Sequence, residues 1–166
     1  WRQDPGLSGG GQAYDSGAHL FNSLVWSVEK DVAEVYAMID NLGSPVDINS
    51  STAIRFANGT LASIVISGNG VSADSHMVFI FENGRIEIDG WFGQWIKVFD
   101  DKGRIKYPEI DNDESHPIEN FVAAIKGETE GRTSPKNGIH QSQLMDAIYE
   151  SARTGRPVKP GHPVTA

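Results

Sequence analysis

With 166 residues, 39% of them hydrophobic, the chain is long enough to bury one sizeable core and is expected to form a single domain over residues 1–166. Its 14 Lys and Arg against 22 Asp and Glu give a net charge of -8 without a basic stripe, which argues against nucleic acid or an anionic membrane surface as a partner. The absence of cysteine excludes disulfides, thiolate zinc sites and cysteine nucleophiles, and no apolar run approaches the ~20 residues that span a bilayer, so a soluble and, by default, cytoplasmic protein is expected.

Trp1-Arg2-Gln3-Asp4-Pro5 reads as an extended segment already in mid-course, as though earlier sequence had been removed. Ser8-Gly9-Gly10-Gly11 follows, a stretch in which backbone can approach a neighbour closely. A helix is predicted from about Gln12 to Trp26. At 100° per residue, Ala13, Gly17, Leu20, Phe21 and Leu24 share one side, while Asp15, His19, Asn22 and Trp26 form a narrow polar stripe almost opposite. That stripe faces away from the domain's own core.

From Ala33 to Tyr107 short β-type runs alternate with turn residues, the pattern of a meander rather than of βαβ units. Predicted strands are Glu34 to Ile39, Ser51 to Ala57, Thr60 to Ser67, His76 to Phe81, Arg85 to Asp89, Trp95 to Phe99 and Arg104 to Tyr107. Asn58-Gly59 and Asn83-Gly84 predict hairpins with type I′ turns, which need positive φ at both central positions. Arg85, Glu87 and Asp89 alternate with Ile86 and Ile88, giving one wet face, whereas Leu61 to Ile66 and Met77 to Phe81 are apolar on both. The expected fold is therefore α+β: an open, mainly antiparallel sheet of six to seven strands, helices packed on one face, the other face available for homo-oligomerisation.

Two helices end the chain. In the first, Ser115 would cap, Pro117 occupy the first turn, Ile118, Phe121, Val122 and Ile125 form an apolar face, and Gly127 take the C′ position. The second is predicted from about Gly138 to Arg153, with Leu144, Ala147, Ile148 and Ala152 inward, Gly155 as its stop and an extended tail from Arg156 to Pro160.

The sharpest chemical pattern is Asp15-Ser16-Gly17-Ala18-His19, a carboxylate and an imidazole one helical turn apart. Histidine exchanges a proton near neutral pH, and an adjacent carboxylate can orient it or bind a substrate hydroxyl, which suits alcohol–carbonyl chemistry. The same spacing also suits a surface ion pair worth only ~0.3 kcal/mol.

Trp1-Arg2, Asp4-Pro5, the triple glycine, Asp15-x-Gly17-x-His19 and Trp26 together resemble the opening of the C-terminal domain of the glucose-fructose oxidoreductase, inositol dehydrogenase and MocA (GFO/IDH/MocA) family. Ala147 to Val158 resembles that family's last helix and exit, and Pro117 to Phe121 with Ile125-Lys126-Gly127 its penultimate helix, so the resemblance spans nearly the whole chain. It implies a two-domain NAD(P)-dependent oxidoreductase of a sugar, inositol or related alcohol, with NAD or NADP bound mainly by a preceding Rossmann domain that is not in this chain. By the same resemblance Asp15 and His19 face the nicotinamide as the catalytic pair, while Trp1, Arg2 and Asn22 are candidate substrate-binding residues. The family's catalytic lysine sits in a Glu-Lys-Pro motif of the other domain; no such motif occurs here, so the isolated chain is expected to be inactive.

Gly68-Asn69-Gly70-Val71-Ser72-Ala73 scans as a dinucleotide loop with Asp89 downstream, yet a polar turn and strand follow it where a helix N-terminus is required. No cofactor site is expected in this chain. His116, His140 and His162 read as solvated, and no His-x-x-x-His or Glu-x-x-His pair suggests a metal. Trp91 and Trp95, bracketing Phe92, suit either a sugar-stacking platform or packing. Two other readings stand beside the oxidoreductase: a non-catalytic dimerisation or sugar-binding module of the same fold, and a hydrolase using a metal on Asp15, His19 and a third ligand such as His76.

Overall fold

The alternation of the first three strands puts every second side chain on one face, and the helices collect on that face. A computed structural model describes residues 1–71, 75–90, 93–109, 116–133 and 135–161. They fall into two compact units, Trp1–Val71 with Thr133–Ala166, and Ser72–Arg132.

In the first unit, the opening segment is not extended. Asp4 accepts a hydrogen bond from the Gly6 N–H at 2.9 Å and Pro5 supplies the first position of a one-turn helix, α1 (Pro5–Ser8). The next helix, α2 (Gly17–Val28), begins five residues later than the periodicity predicts. Backbone N–H groups of residues 11–13 are spent on Asp47, and the Gly17 N–H reaches back five residues to the Gln12 carbonyl, a wider span than an α-helix allows. From Gly17 onward the expected faces appear. Gly17 and Phe21 are buried, Leu20, Leu24, Val25 and Val28 pack on the core, and His19 and Trp26 are exposed with Asn22 half-buried.

A three-stranded antiparallel sheet follows: β1 (Val32–Asp40), β2 (Asn49–Phe56) and β3 (Leu61–Ser67), in that order. Val35, Ala37, Thr52, Ile54, Phe56 and Ile66 point inward and are buried, while Tyr36, Met38, Leu61 and Val65 stay exposed on the opposite face. α4, the last helix (Pro135–Thr154; α3 belongs to the second unit), packs on β1 and on α2, bringing Leu144, Met145, Ala147 and Ile148 into the core. A side chain on Gly17 would strike Ile66, so the glycine sets how closely α2 can lie on β3. The outer edge of β1 is closed by the exit segment. Val35 and Val158 exchange backbone bonds of 2.8 and 2.9 Å, and the Ala37 N–H donates to Ser151 Oγ at 3.0 Å.

The second unit holds a four-stranded antiparallel sheet, β4 (His76–Phe81), β5 (Gly84–Asp89), β6 (Ile96–Asp100) and β7 (Gly103–Ile105), together with α3 (Pro117–Ile125). The expected single sheet of six to seven strands is therefore two sheets. The pairing chain is interrupted after β3 because the Gly68 N–H bonds the Ile48 carbonyl at 2.8 Å, so the backbone runs on past the start of β2 instead of folding back as a hairpin.

Both predicted hairpins form, with different turns. Only Gly59 of the Asn58-Gly59 pair has positive φ, and the Gly59 N–H to Phe56 carbonyl bond of 2.9 Å makes a three-residue connection. Neither Asn83 nor Gly84 has positive φ; Gly84 is needed instead because a side chain there would strike the Phe99 carbonyl. Asp89, expected on a wet face, is buried, accepting from the Gln94 N–H at 3.2 Å. Ser115 lies outside the described residues, and the cap of α3 is His116: its Nδ1 accepts from the Ile118 N–H at 3.3 Å while Glu119 accepts from the His116 N–H at 3.0 Å. Gly127 takes positive φ just past this helix, as its sequence position predicts.

Candidate functional site

The triple glycine is a surface of contact. A side chain on Gly10 would strike the Tyr149 hydroxyl, and one on Gly11 would strike the Asp47 backbone. Asp47, 3% exposed, occupies the bend between β1 and β2. Its Oδ1 accepts from the Gly11 N–H at 2.6 Å and from the Tyr149 hydroxyl at 2.5 Å, its Oδ2 accepts from the Ala13 N–H at 2.7 Å, and its carbonyl accepts from the Gln12 N–H at 2.9 Å. Burial, and then the hydrogen bond and charge of Asp47, push the Tyr149 hydroxyl well above the usual tyrosine value of 10.0. Tyr149 is thus a neutral donor throughout the physiological range.

Asp15 stands in the turn between this loop and α2, not on the helix, and its N–H donates to the Gly11 carbonyl at 2.9 Å. Its carboxylate is exposed and pairs with Arg2 Nε at 3.2 Å, and the Arg2 guanidinium lies 5.4 Å from the centre of the Trp1 ring. Three of the five candidate residues, Trp1, Arg2 and Asp15, therefore form one surface cluster. His19 occupies the first turn of α2, exposed, with Asn22 a turn further along the same face. An exposed ion pair contributes little stability.

The remaining expectations resolve one by one. His76 opens β4 as predicted, its ring centre 5.4 Å from that of Trp95 in an edge-on arrangement, and the Lys97 ammonium lies 4.3 Å from the centre of the Trp95 ring. Trp91, Phe92 and His162 lie outside the described residues, as do Ser72 and Ala73 of the glycine decoy, and β3 is followed by strand β4 rather than by a helix. His140 lies in the second turn of α4, half-buried beside a cavity of about 260 Å³ that Lys30, Asp31, Gln143 and Lys159 also line. A second, shallower recess of about 470 Å³ lies over Tyr36, Ala53, Arg55, Leu61 and Ser63 of the first sheet. Neither is lined by Asp15 or His19. Among the described residues no three His, Asp or Glu side chains come together to hold a metal ion, and no helix is long and apolar enough to cross a membrane.

Asp47 and the role of Tyr149 escape a reading of the sequence alone. The only signal pointing to them is the glycine run itself, which announces a close neighbour without saying which residue it is.

Residues 1–87 match the sequence profile of the GFO/IDH/MocA C-terminal domain, and the chain belongs to that family of oxidoreductases. No curated protein matches it by sequence. Solved structures share the fold. An NAD-binding protein from Listeria innocua is 24% identical with a TM-score of 0.79, the alignment covering 96% of this chain and 50% of that one. The aldose-aldose oxidoreductase from Caulobacter crescentus, complexed with glycerol, is 23% identical with a TM-score of 0.80, over 96% of this chain and 50% of that one. The WlbA dehydrogenase from Bordetella pertussis, in complex with NADH and UDP-GlcNAcA, is 23% identical with a TM-score of 0.75, over 94% and 47%. The chain thus spans about half the length of the solved structures it matches.

Proposed function

We propose that this chain is the C-terminal, substrate-facing domain of a two-domain NAD(P)-dependent oxidoreductase acting on a sugar, inositol or related alcohol. The observation that carries the reading is the cluster of Trp1, Arg2 and Asp15, with the exposed His19 four residues on from Asp15, all within the segment that matches the family profile. The family resemblance assigns the cofactor to a Rossmann domain preceding this one. A nicotinamide held there supplies the hydride chemistry; the residues of this chain handle the substrate and its proton.

In this reading the His19 imidazole takes the hydroxyl proton as the alcohol becomes a carbonyl, and returns it in the reverse direction. Asp15 accepts a hydrogen bond from a substrate hydroxyl. Arg2, now paired with Asp15, offers its remaining guanidinium N–H groups to substrate oxygens, with Trp1 and Asn22 beside it. Sequence upstream of Trp1 should hold about 120 to 200 residues with a Gly-x-Gly-x-x-Gly loop and a Glu-Lys-Pro motif, the size of one Rossmann domain; if both motifs are missing the reading fails. In the full protein, His19→Ala should lower kcat by about 10² to 10⁴ in NAD- or NADP-linked oxidation of glucose or myo-inositol, and unchanged turnover would reduce His19 to scaffold. The isolated chain should show no such turnover.

The exposed Tyr36, Met38, Leu61 and Val65 on the outer face of the first sheet favour a second, compatible reading, in which that face carries a homo-oligomer. Equilibrium sedimentation of the wild type and of Val65→Lys tests it. A monomeric wild type would discard it.

A further inference from the structure

The segment that carries the candidate site is held from beneath by a single buried carboxylate. Asp47 accepts three hydrogen bonds on its side chain and a fourth on its carbonyl, all from residues 11–13 or from Tyr149. From there the bonding continues outward. The Gly11 carbonyl takes the Asp15 N–H, and the Gln12 carbonyl takes the N–H of Gly17, the first residue of α2. Asp15 and the start of α2 are each two hydrogen bonds from Asp47. Gly10 and Gly11 let the backbone lie directly on this support, so the loop cannot slide without losing contact with Tyr149 or Asp47.

We propose that Asp47 and Tyr149 are positioning residues: they fix where Asp15 and the first turn of α2, with His19, stand toward the substrate. The inference rests on the reading of Asp15 and His19 given above. A staple that served stability alone could grip the loop anywhere. Here every bond to the loop lands within four residues of Asp15, and the Tyr149 hydroxyl binds a carboxylate that two backbone N–H groups already satisfy. Its added effect is to fix the carboxylate's orientation, and through it the loop.

Tyr149→Phe removes the hydroxyl and keeps the ring. Amide exchange and the ring-proton resonances of His19 at fixed pH, both followed by NMR on the folded variant, read the consequence. We expect the Gly11 and Ala13 amides to exchange about tenfold faster while those of β2 keep their wild-type rates. The His19 ring-proton resonances, read at one fixed pH, should shift as Asp15 and the first turn of α2 lose their place. Equal acceleration throughout β2 and α4 would make the pair a general core staple and overturn the proposal, as would unchanged His19 ring resonances. Should Tyr149→Phe fold poorly, Gly10→Ala disturbs the same contact from the loop side and is held to the same two readouts. Neither measurement involves turnover. A failed His19→Ala test therefore sinks the catalytic reading and leaves this result standing, and the converse also holds.

Discussion

Of the two units, the one with fewer strands has the better core. Three strands with α2 and α4 bury Phe21, Phe56, Leu144, Met145, Ile148 and Val35 almost completely, whereas among the described residues the four-stranded unit buries only Asp89 to a comparable degree. Ile80 remains 82% exposed, and Ile118, Phe121 and Ile125 leave the apolar face of α3 open. Strand number does not make a core. A sheet face is buried by what lies on it, and among the described residues the close helix packing, of α4 on β1 and α2 on β3, is on the first sheet.

The largest test of that contrast pairs Leu144→Ala with Ile80→Ser in urea denaturation. Loss of the buried leucine should cost about 2 to 5 kcal/mol, the exposed isoleucine less than ~0.5 kcal/mol. Comparable losses would mean that the second unit carries as much of the fold's stability as the first. Gly11→Ala should follow at about 1 to 3 kcal/mol, because the methyl group must displace the Asp47 backbone; a neutral result would show that the loop can lift away freely.

Alkali should distinguish the units next. The Tyr149 hydroxyl is raised above its unfolded value of 10.0, so the stability it adds is complete below that pH and drains away as pH climbs toward the folded value. Melting temperature followed upward from about pH 9 should therefore fall more steeply in the wild type than in Tyr149→Phe; parallel curves would dismiss the linkage. The smallest effect concerns Thr52, whose buried hydroxyl has no hydrogen-bond partner. Thr52→Val should be neutral or stabilising by up to ~1 kcal/mol, and a clear loss would reveal a partner for that oxygen.

Much of this fold is legible in the sequence because its strands are short and end at turn residues. β4 runs from His76 to Phe81 as predicted, and Gly127 and Gly155 stand with positive φ just beyond α3 and α4. What is not legible is partnership. Nothing in Ser67-Gly68-Asn69-Gly70 says that the Gly68 N–H will go to Ile48 and split one expected sheet in two. The start of α2 misleads for the same reason: Ala13 keeps helical periodicity and is fully buried, but its N–H belongs to a carboxylate 34 residues away. The candidate pair Asp15 and His19 could be read from its spacing and its resemblance. Its support could not, because Asp47 follows Ser44-Pro45-Val46 in a bend with no motif, and its bond to Tyr149 joins positions 102 residues apart.

The exit segment that crosses β1 has a consequence for how the protein behaves in company. An uncovered edge strand invites a strand from another molecule, and Val35 and Ala37 would offer it their free N–H groups. Val158 and the Ser151 hydroxyl of α4 occupy those donors first, so the end of α4 and the segment that follows it guard β1 against intermolecular strand addition. A cut between Gly155 and Arg156 would leave the Ser151 bond to Ala37 in place but release Val158, opening the Val35 N–H at the edge of β1 to a strand from another copy.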